Sequence, residues 1–480
     1  MTIINIARAA LLMASVLALA LTTGSLWAGP GGNGDEVSAA TGSARNVLLI
    51  IADDQSYDPI RTPTLEALGR SGTEFVTAYA AAASCSPSRS VLLTGLYPHT
   101  NGVYGLAHGV HNFHLVDGVA TLPTLLKQAG YTTALVGKYH LLPESAFDFD
   151  AHLAPEAPGN RDVSHMAREA GRFMASVSGK QPFFLIMGYS DPHRAPINFG
   201  NTQQWPDVPR ITYDPAELPV PASLPDLPEV RQDLAEYYES VRRLDTGVGL
   251  LIEELKAAGK YDDTLIVFVS DHGRPFPGAK ATLYEDGIHV PMFVVSPDQR
   301  RRGVKSRAMA SLVDVAPTIL DWADAAHPAD ELPGRSLLPI LENDEPAGWD
   351  TVFASHTFHE INQYYPMRAL RNQRYKYIRN LAHELPFPVP GDVAESPSWQ
   401  AMLATGAPVG QRSQQAFLRR PSEELYDLTT DPLELRNLAD DPAHAAALAL
   451  LRAELDQHRA RTRDPWLPGQ TTVHGHMTGH

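Results

Sequence analysis

Cys85 is the only cysteine among 480 residues. With no second thiol there can be no intrachain disulfide, so the chain must be held by a buried core rather than by covalent staples. Positive charge is also scarce. Lysine and arginine number 39 against 55 aspartates and glutamates, for a formal net charge of −16. That balance argues against a nucleic-acid binder, which needs a basic face, but it allows an anionic substrate in a local basic pocket. Beyond the N-terminal segment no apolar run is long enough to cross a membrane. What is present, 44% hydrophobic and 20% charged residues, is the composition of an ordinary folded protein. The length exceeds what one core usually holds and predicts a large domain plus a smaller one.

Residues 1–28 carry Arg8, an apolar run from Ala9 to Leu21 and small residues before Gly29. This is the pattern of a cleaved export signal, with an uncleaved anchor as the alternative. Residues 29–43 read as a flexible leader, 44–342 as a catalytic domain, 343–466 as a C-terminal subdomain and 467–480 as a frayed tail.

The apolar run Asn46–Ala52 predicts a strand buried on both faces of a parallel sheet, and it ends in Asp53-Asp54. A similar run, Thr264–Ser270, ends in Asp271-His272-Gly273. Adjacent carboxylates at the C-terminal end of a buried strand repel unless positive charge lies between them, and that end is where sites form. A divalent cation with oxygen ligands is one remedy; helix caps or solvated loop acids are the other reading. Thr132–Val136 runs into Gly137-Lys138-Tyr139-His140, where Lys138 and His140 project to the same side as a ligand-facing pair or an ordinary surface pair. Pro182–Gly188 leads to a turn with Asp191-Pro192-His193-Arg194. Further strands are expected at Glu74–Ala80 and Val290–Ser296, and helices at Thr62–Gly72, Leu122–Ala129, Ala167–Val177 and Val230–Ala258. A Pro-rich stretch near 206–228 reads as a rim of the active-site mouth. The alternation predicts a doubly wound α/β domain. From about Asn343, closely spaced strands (Met367–Arg371, Tyr375–Arg379) and a final helix (Pro442–Arg461) predict a small antiparallel sheet packed with a helix.

Cys85 lies in Ser84-Cys85-Ser86-Pro87-Ser88-Arg89, which opens a helix-like segment ending at Gly95. Alone it is either a buried small hydrophobe or a reactive group, since a helix N-terminus and Arg89 both favour an anion there. Cys85-Ser86-Pro87-Ser88-Arg89 matches the Cys-x-Pro-x-Arg signature of the type I sulfatases, and Leu92-Leu93-Thr94-Gly95 continues it. The likeness extends through Asp53-Asp54, Gly137–His140, Asp191–His193, Ser270–Gly273, Asp314–Thr318 and Glu424–Asp427, in the family's order from Asn46 to Leu438. Asn101–Leu106, Val110–Phe113, Arg274–Pro277, His359-Glu360, Tyr365–Arg368 and Asp464–Trp466 are similar to the sulfamidase, or heparan N-sulfatase, branch.

The resemblance implies an alkaline-phosphatase-like mixed sheet sandwiched by helices, with the smaller C-terminal α+β subdomain. It implies that Cys85 is oxidised to formylglycine, whose hydrated aldehyde attacks sulfur to give a covalent sulfate intermediate. Asp53, Asp54, Asp271 and His272, with an oxygen of residue 85, are implied to hold one Ca2+; relatives often carry Asn where this chain has His272. Arg89, Lys138 and Lys280 supply positive charge, although sulfamidases carry arginine at the position of Lys280. His140 is implied as the base at residue 85 and His193 as the acid that protonates the leaving group. His111, Glu360 and Arg368 are implied substrate contacts. The expected partners are a sulfated sugar and a formylglycine-generating or sulfatase-maturing enzyme. Nucleic acid is not expected, nor a membrane once the signal is removed; a homodimer is allowed. The expected reaction is removal of the N-sulfate of terminal glucosamine in heparan-type chains by an exported enzyme. The alternatives are a glycan O-sulfatase or arylsulfatase, a phosphonate or phosphodiester hydrolase, and a silent sulfated-glycan binder. The last would have lost the cysteine, the arginine or the aspartates, and all are present.

Overall fold

Every residue of β1 (Asn46–Ala52) is buried, because aliphatic side chains occupy both of its faces. Val47, Leu49 and Ile51 enter one apolar cluster with Val91, Leu92, Leu122 and Ile319. Leu48, Ile50 and Ala52 enter another with Leu65, Val163, Leu244 and Leu251. Period-2 alternation in one strand thus builds two cores, one on each face of a central sheet. The computed structural model describes residues 45–466 except 59, 155–160, 206 and 327–331, so the expected export signal, leader and tail lie outside the described residues.

In chain order the strands after β1 are β2 (Thr73–Phe75), β3 (Ala78–Tyr79), β4 (Thr132–Gly137), β5 (Ala151–Leu153), β6 (Phe183–Gly188) and β7 (Thr264–Ser270). They continue as β8 (Met292–Val295), β9 (Val304–Ser306), β10 (Ala310–Ser311), β11 (Thr351–Phe358), β12 (Tyr364–Asn372), β13 (Tyr375–Asn380) and β14 (Glu423–Asp427). The large sheet has eight strands in the order β5-β4-β6-β1-β7-β8-β2-β9. It is mixed, since β8 runs antiparallel to both β7 and β2. The first helices are α1 (Pro63–Ser71), α2 (Cys85–Thr94), α3 (Pro98–Asn101), α4 (Leu122–Gln128), α5 (Val163–Ser176) and α6 (Pro228–Ala257). α1, α5 and α6 cover one face of the sheet, and α2 and α4 cover the other. The expected strand Glu74–Ala80 divides in two. β2 joins the large sheet, whereas β3 pairs with β10 in a separate two-stranded sheet.

Four adjacent parallel strands, β4, β6, β1 and β7, end at one level: Gly137 and Ile51 both pair with Gly188, and Ala52 pairs with Ser270. The ladder runs on past the strand ends, with Lys138 N donating to Gly188 O at 2.7 Å, Asp53 N to Asp191 O at 3.1 Å and Asp271 N to Ala52 O at 3.1 Å. Gly188 is required at this level, since a Cβ there would meet Lys138 O at 2.2 Å.

β11 to β14 form the expected antiparallel sheet, in sequence order. The helix Ala445–Arg461 packs Leu448, Leu451 and Leu455 against Leu370, Tyr377 and Leu425. β11 also lies beside the chain that leads to Cys85: Ser355 N donates to Ala81 O at 2.9 Å, and Leu106 N to His359 O at 3.0 Å. The C-terminal sheet therefore forms one wall of the region around the cysteine. Among the described residues no helix is long and apolar enough to cross a membrane.

Candidate active site

Cys85 is the first residue of α2 and 1% exposed. Pro87 is tolerated two residues on because first-turn N–H groups have no intrahelical acceptor. Arg89, one turn along, shares the face of Cys85. Its Nε donates to Asp271 Oδ2 at 3.0 Å and its Nη1 to Lys138 O at 3.3 Å, while Nη2 lies 3.5 Å from Asp53 Oδ1. The signature arginine thereby ties together residues at the ends of β1, β4 and β7. Ser88 adds a hydrogen bond from Oγ to Asp271 O.

The strand ends deliver the rest. Lys138 Nζ donates to Asp53 Oδ2 at 2.6 Å and Lys280 Nζ to Asp54 Oδ2 at 2.8 Å. Asp54 holds a left-handed φ of 68° and His140 one of 61°, uncommon for residues with a side chain. Burial works against the charge of Asp53, but Lys138, His193 and Arg89 outweigh it and hold the carboxyl well below its usual range. For Asp271 the balance is opposite: burial, joined by the nearby Asp53 charge, pushes it up. Lys280 is fully buried, yet Asp392 and Asp54 overcome that burial and keep its ammonium well above the ordinary lysine value. Cys85 is pushed well above the usual thiol range by burial, with Asp53 and Asp54 adding to it. Thiolate chemistry is therefore disfavoured at this cysteine.

The donor set fits a cation. Asp54, Cys85 and His272 bring ligand atoms within 4.8 Å of one another, and so do Asp53, Cys85 and Asp271. Asp53 Oδ1 is buried without a hydrogen-bond partner. His272 Nδ1 lies 3.0 Å from Gly273 O, an acceptor only, so in the neutral ring Nδ1 carries the hydrogen and Nε2 presents a lone pair. That Nε2 faces Asp54 Oδ1 at 3.0 Å, two lone pairs that a positive ion would reconcile, and Cys85 Sγ at 3.3 Å, whose S–H can donate to it.

His193 and His140 stand beside the cluster with different neighbours. His193 Nδ1 donates to Arg194 O, leaving Nε2 to accept from Lys280 Nζ at 3.2 Å. Burial, and then Lys280, push it below the usual histidine range. His140 Nε2 lies 2.5 Å from His108 Nδ1, and its Nδ1 is buried without a hydrogen-bond partner. Burial, followed by Lys138, holds it well below the ordinary value.

Of the expected substrate contacts, His111 accepts a hydrogen bond from Ile361 N at 3.2 Å and stands edge-on to the ring of His108. Glu360 lies against Gly391, where a Cβ would come within 2.7 Å of Glu360 Oε1. Arg368 requires a correction. It is 1% exposed and spends Nε and Nη2 on Asp464, at 2.8 and 3.1 Å, and Nη1 on the carbonyls of His356 and Met367. Four of its five N–H hydrogens are thus committed within the fold and the side chain is buried, so this arginine anchors the C-terminal segment.

Two residues at the site were given no role by the sequence, although His359-Glu360 is among the stretches that resemble the sulfamidase branch. Asp392 places Oδ2 2.7 Å from Lys280 Nζ across 112 residues of chain. His359 Nδ1 lies 2.8 Å from Ser84 Oγ, next to the cysteine. Neither follows a strand end in the large sheet, the pattern that marked the others.

A parallel-rich α/β sheet whose strand ends gather three aspartates, two lysines and an arginine around one helix-N-terminal cysteine defines a hydrolase site for a charged group. A sequence profile of the Sulfatase family matches residues 45–325, and one described as N-sulphoglucosamine sulphohydrolase, C-terminal, matches residues 278–386. The chain belongs to the sulfatase family and is a sulfate hydrolase. It is 40% identical over 463 residues to human N-sulphoglucosamine sulphohydrolase, covering 88% of this chain and 91% of that one. An ulvan-active sulfatase of Formosa agariphila is 30% identical over 85% of this chain and 78% of its own length. Among solved structures, a phosphonate monoester hydrolase of Agrobacterium radiobacter shares the fold at a TM-score of 0.66 with 22% identity, covering 88% of this chain and 97% of that one. A structure in complex with D-glucosamine-2-N,6-O-disulfate does so at 0.64 with 21% identity, covering 88% and 98%.

Proposed function

We propose that this enzyme hydrolyses the N-sulfate of glucosamine in heparan-type glycans, releasing sulfate. The observation that supports the substrate class is the 40% identity to human N-sulphoglucosamine sulphohydrolase, which spans both the large sheet and the C-terminal sheet. In this reading Cys85, matured to formylglycine, supplies a hydrated aldehyde oxygen as nucleophile, which accounts for a cysteine whose own thiolate is disfavoured. Asp53, Asp54, Asp271 and His272 would hold one Ca2+, which when bound contributes fixed positive charge toward the sulfuryl oxygens. His272 is the nitrogen donor in an otherwise oxygen-rich set.

The chain's own residues do the remaining work. Arg89 and Lys138 are buried cations at the strand ends, so they act in a low-dielectric setting where charge on sulfate is strongly stabilised. Lys280 directs its hydrogens at Asp54, Asp392 and His193, so it contributes charge and positioning. His193 is the proton source for the leaving nitrogen: a bound sulfamate anion beside Nε2 favours its protonated form. His140, with an unpartnered Nδ1, is the base at residue 85. His111 and Glu360 contact the sugar. The enzyme is exported and matured at Cys85 by a formylglycine-generating or sulfatase-maturing enzyme, and residues 44–342 and 343–466 are its catalytic and C-terminal parts.

Mass spectrometry of the residue-85 peptide, from a host able to mature sulfatases, tests the nucleophile: an unmodified thiol in fully active enzyme refutes it. Sulfate release from N-sulfoglucosamine in preference to O-sulfated sugars and aryl sulfates tests the substrate, and the reverse preference makes it an O-sulfatase.

A further inference from the structure

Asp392 is the second residue of the short helix Gly391–Ala394, in the segment between β13 and β14, and no sequence motif points to it. Its Oδ2 lies 2.7 Å from Lys280 Nζ and 3.9 Å from His193 Nε2, and Oδ1 accepts from Val393 N at 2.9 Å. Asp53, Asp54 and Asp271 have fully buried side chains, whereas Asp392 keeps 21% of its side chain exposed and the adjacent His193 26%. Asp392 is thus the carboxylate of this cluster that an arriving substrate meets, on the side where the leaving group departs if His193 protonates it.

We propose that Asp392 makes the enzyme select nitrogen over oxygen at the scissile bond, by accepting the N–H of a sulfamate and repelling the bridging oxygen of a sulfate ester. This rests on the N-sulfate reading above and names the residue that enforces it. A carboxylate can only accept hydrogen bonds. The bridging nitrogen of a sulfamate carries one hydrogen to donate, while the bridging oxygen of an ester carries lone pairs alone. The difference grows along the reaction. As the nucleophile's oxygen bonds to sulfur and the sulfur–nitrogen bond breaks, the bonding pair stays on nitrogen. That nitrogen takes a proton from His193 to become an amine, and a second from water gives an ammonium. An ester oxygen takes one proton and ends as a neutral hydroxyl. A fixed negative charge at this point therefore favours the cationic nitrogen product over the neutral hydroxyl. Lys280 keeps Asp392 ionised and in place, and Gly391 lets the helix start close under Glu360.

The test compares N-sulfoglucosamine with glucose 2-sulfate, which differ only in NH or O at the bridge, in the matured enzyme and in Asp392→Ala and Asp392→Asn. A site built to bond a substrate N–H discriminates strongly against the analogue that lacks it. We expect the ratio of kcat/KM for the nitrogen substrate over the oxygen substrate to fall about 100-fold in Asp392→Ala. In Asp392→Asn, which keeps shape and one acceptor but not the charge, the ratio falls by less. Should the alanine variant not fold, as judged by its thermal transition, the near-isosteric asparagine carries the same comparison. An equal loss on both substrates overturns the proposal and reduces Asp392 to a support for Lys280; an unchanged ratio overturns it as well. A wild-type enzyme that hydrolyses glucose 2-sulfate but not N-sulfoglucosamine refutes the N-sulfate reading itself, a result separate from any effect at Asp392.

Discussion

Replacing Arg89 with alanine tests whether one guanidinium holds three strand ends together. Its side chain is 2% exposed and faces Asp271 Oδ2 at 3.0 Å and Asp53 Oδ1 at 3.5 Å, both fully buried. Removing one partner of a buried ion pair leaves an uncompensated charge, at a cost of about 3–5 kcal/mol. Because Asp53 also keeps Lys138, the lower end of that range is expected here. The same change removes a preorganised cation from the sulfate-facing cluster, which corresponds to a loss of about 100- to 1,000-fold in kcat. Arg89→Lys keeps a charge but cannot reach Asp271 and the Lys138 carbonyl together, so it should recover stability more than turnover. Thermal unfolding followed with and without added Ca2+ is the informative assay, paired with sulfate release. If the stability loss comes from unpaired carboxylates, a divalent cation bound among them offsets much of it. A loss of stability that Ca2+ leaves unchanged, or no loss at all, would refute this account of the site.

Cys85→Ala is expected to abolish sulfate release while shifting stability by only about 1 kcal/mol, since one small group at a helix start is removed; residual turnover in a thermally intact variant contradicts the assignment of the nucleophile. Arg368→Met should destabilise by about 3 kcal/mol, the lower end for a broken buried pair because Asp464 loses its bidentate partner but keeps Arg459, without raising KM. A raised KM in a stable Arg368 variant would restore it as a substrate contact. Burial and Lys138 hold His140 well below the ordinary 6.5, so the ring stays neutral and able to accept a proton down to mildly acidic pH. The acidic limb of kcat against pH is therefore expected below 6.5, and a limb above that value excludes His140 as the base.

The residues that the structure gathers beside Cys85 share a physical origin. Asp53, Asp54, Lys138, Asp271 and His272 each follow a buried strand, and a covalent neighbour of a strand end travels with that strand wherever the sheet places it. Arg89 was legible for a similar reason, since one helical turn ties its direction to that of Cys85. Arg368 was misread because sequence likeness marks a position without saying what the side chain touches, and its partner Asp464 lies 96 residues away. Asp392 had no strand end to announce it, and His359 follows β11 of the C-terminal sheet rather than a strand of the large sheet.

The sequence by itself determined the strand-end motifs, the cysteine at a helix start, the sulfatase signature and the change to an antiparallel sheet after Asn343, all set by local periodicity or by residues within a few positions of one another. Only the tertiary structure decided that β4, β6, β1 and β7 end at one level, that Glu74–Ala80 divides between two sheets, and that Asp392 reaches Lys280. Register and side-chain pairing depend on packing between segments far apart in the chain, and no local pattern encodes that.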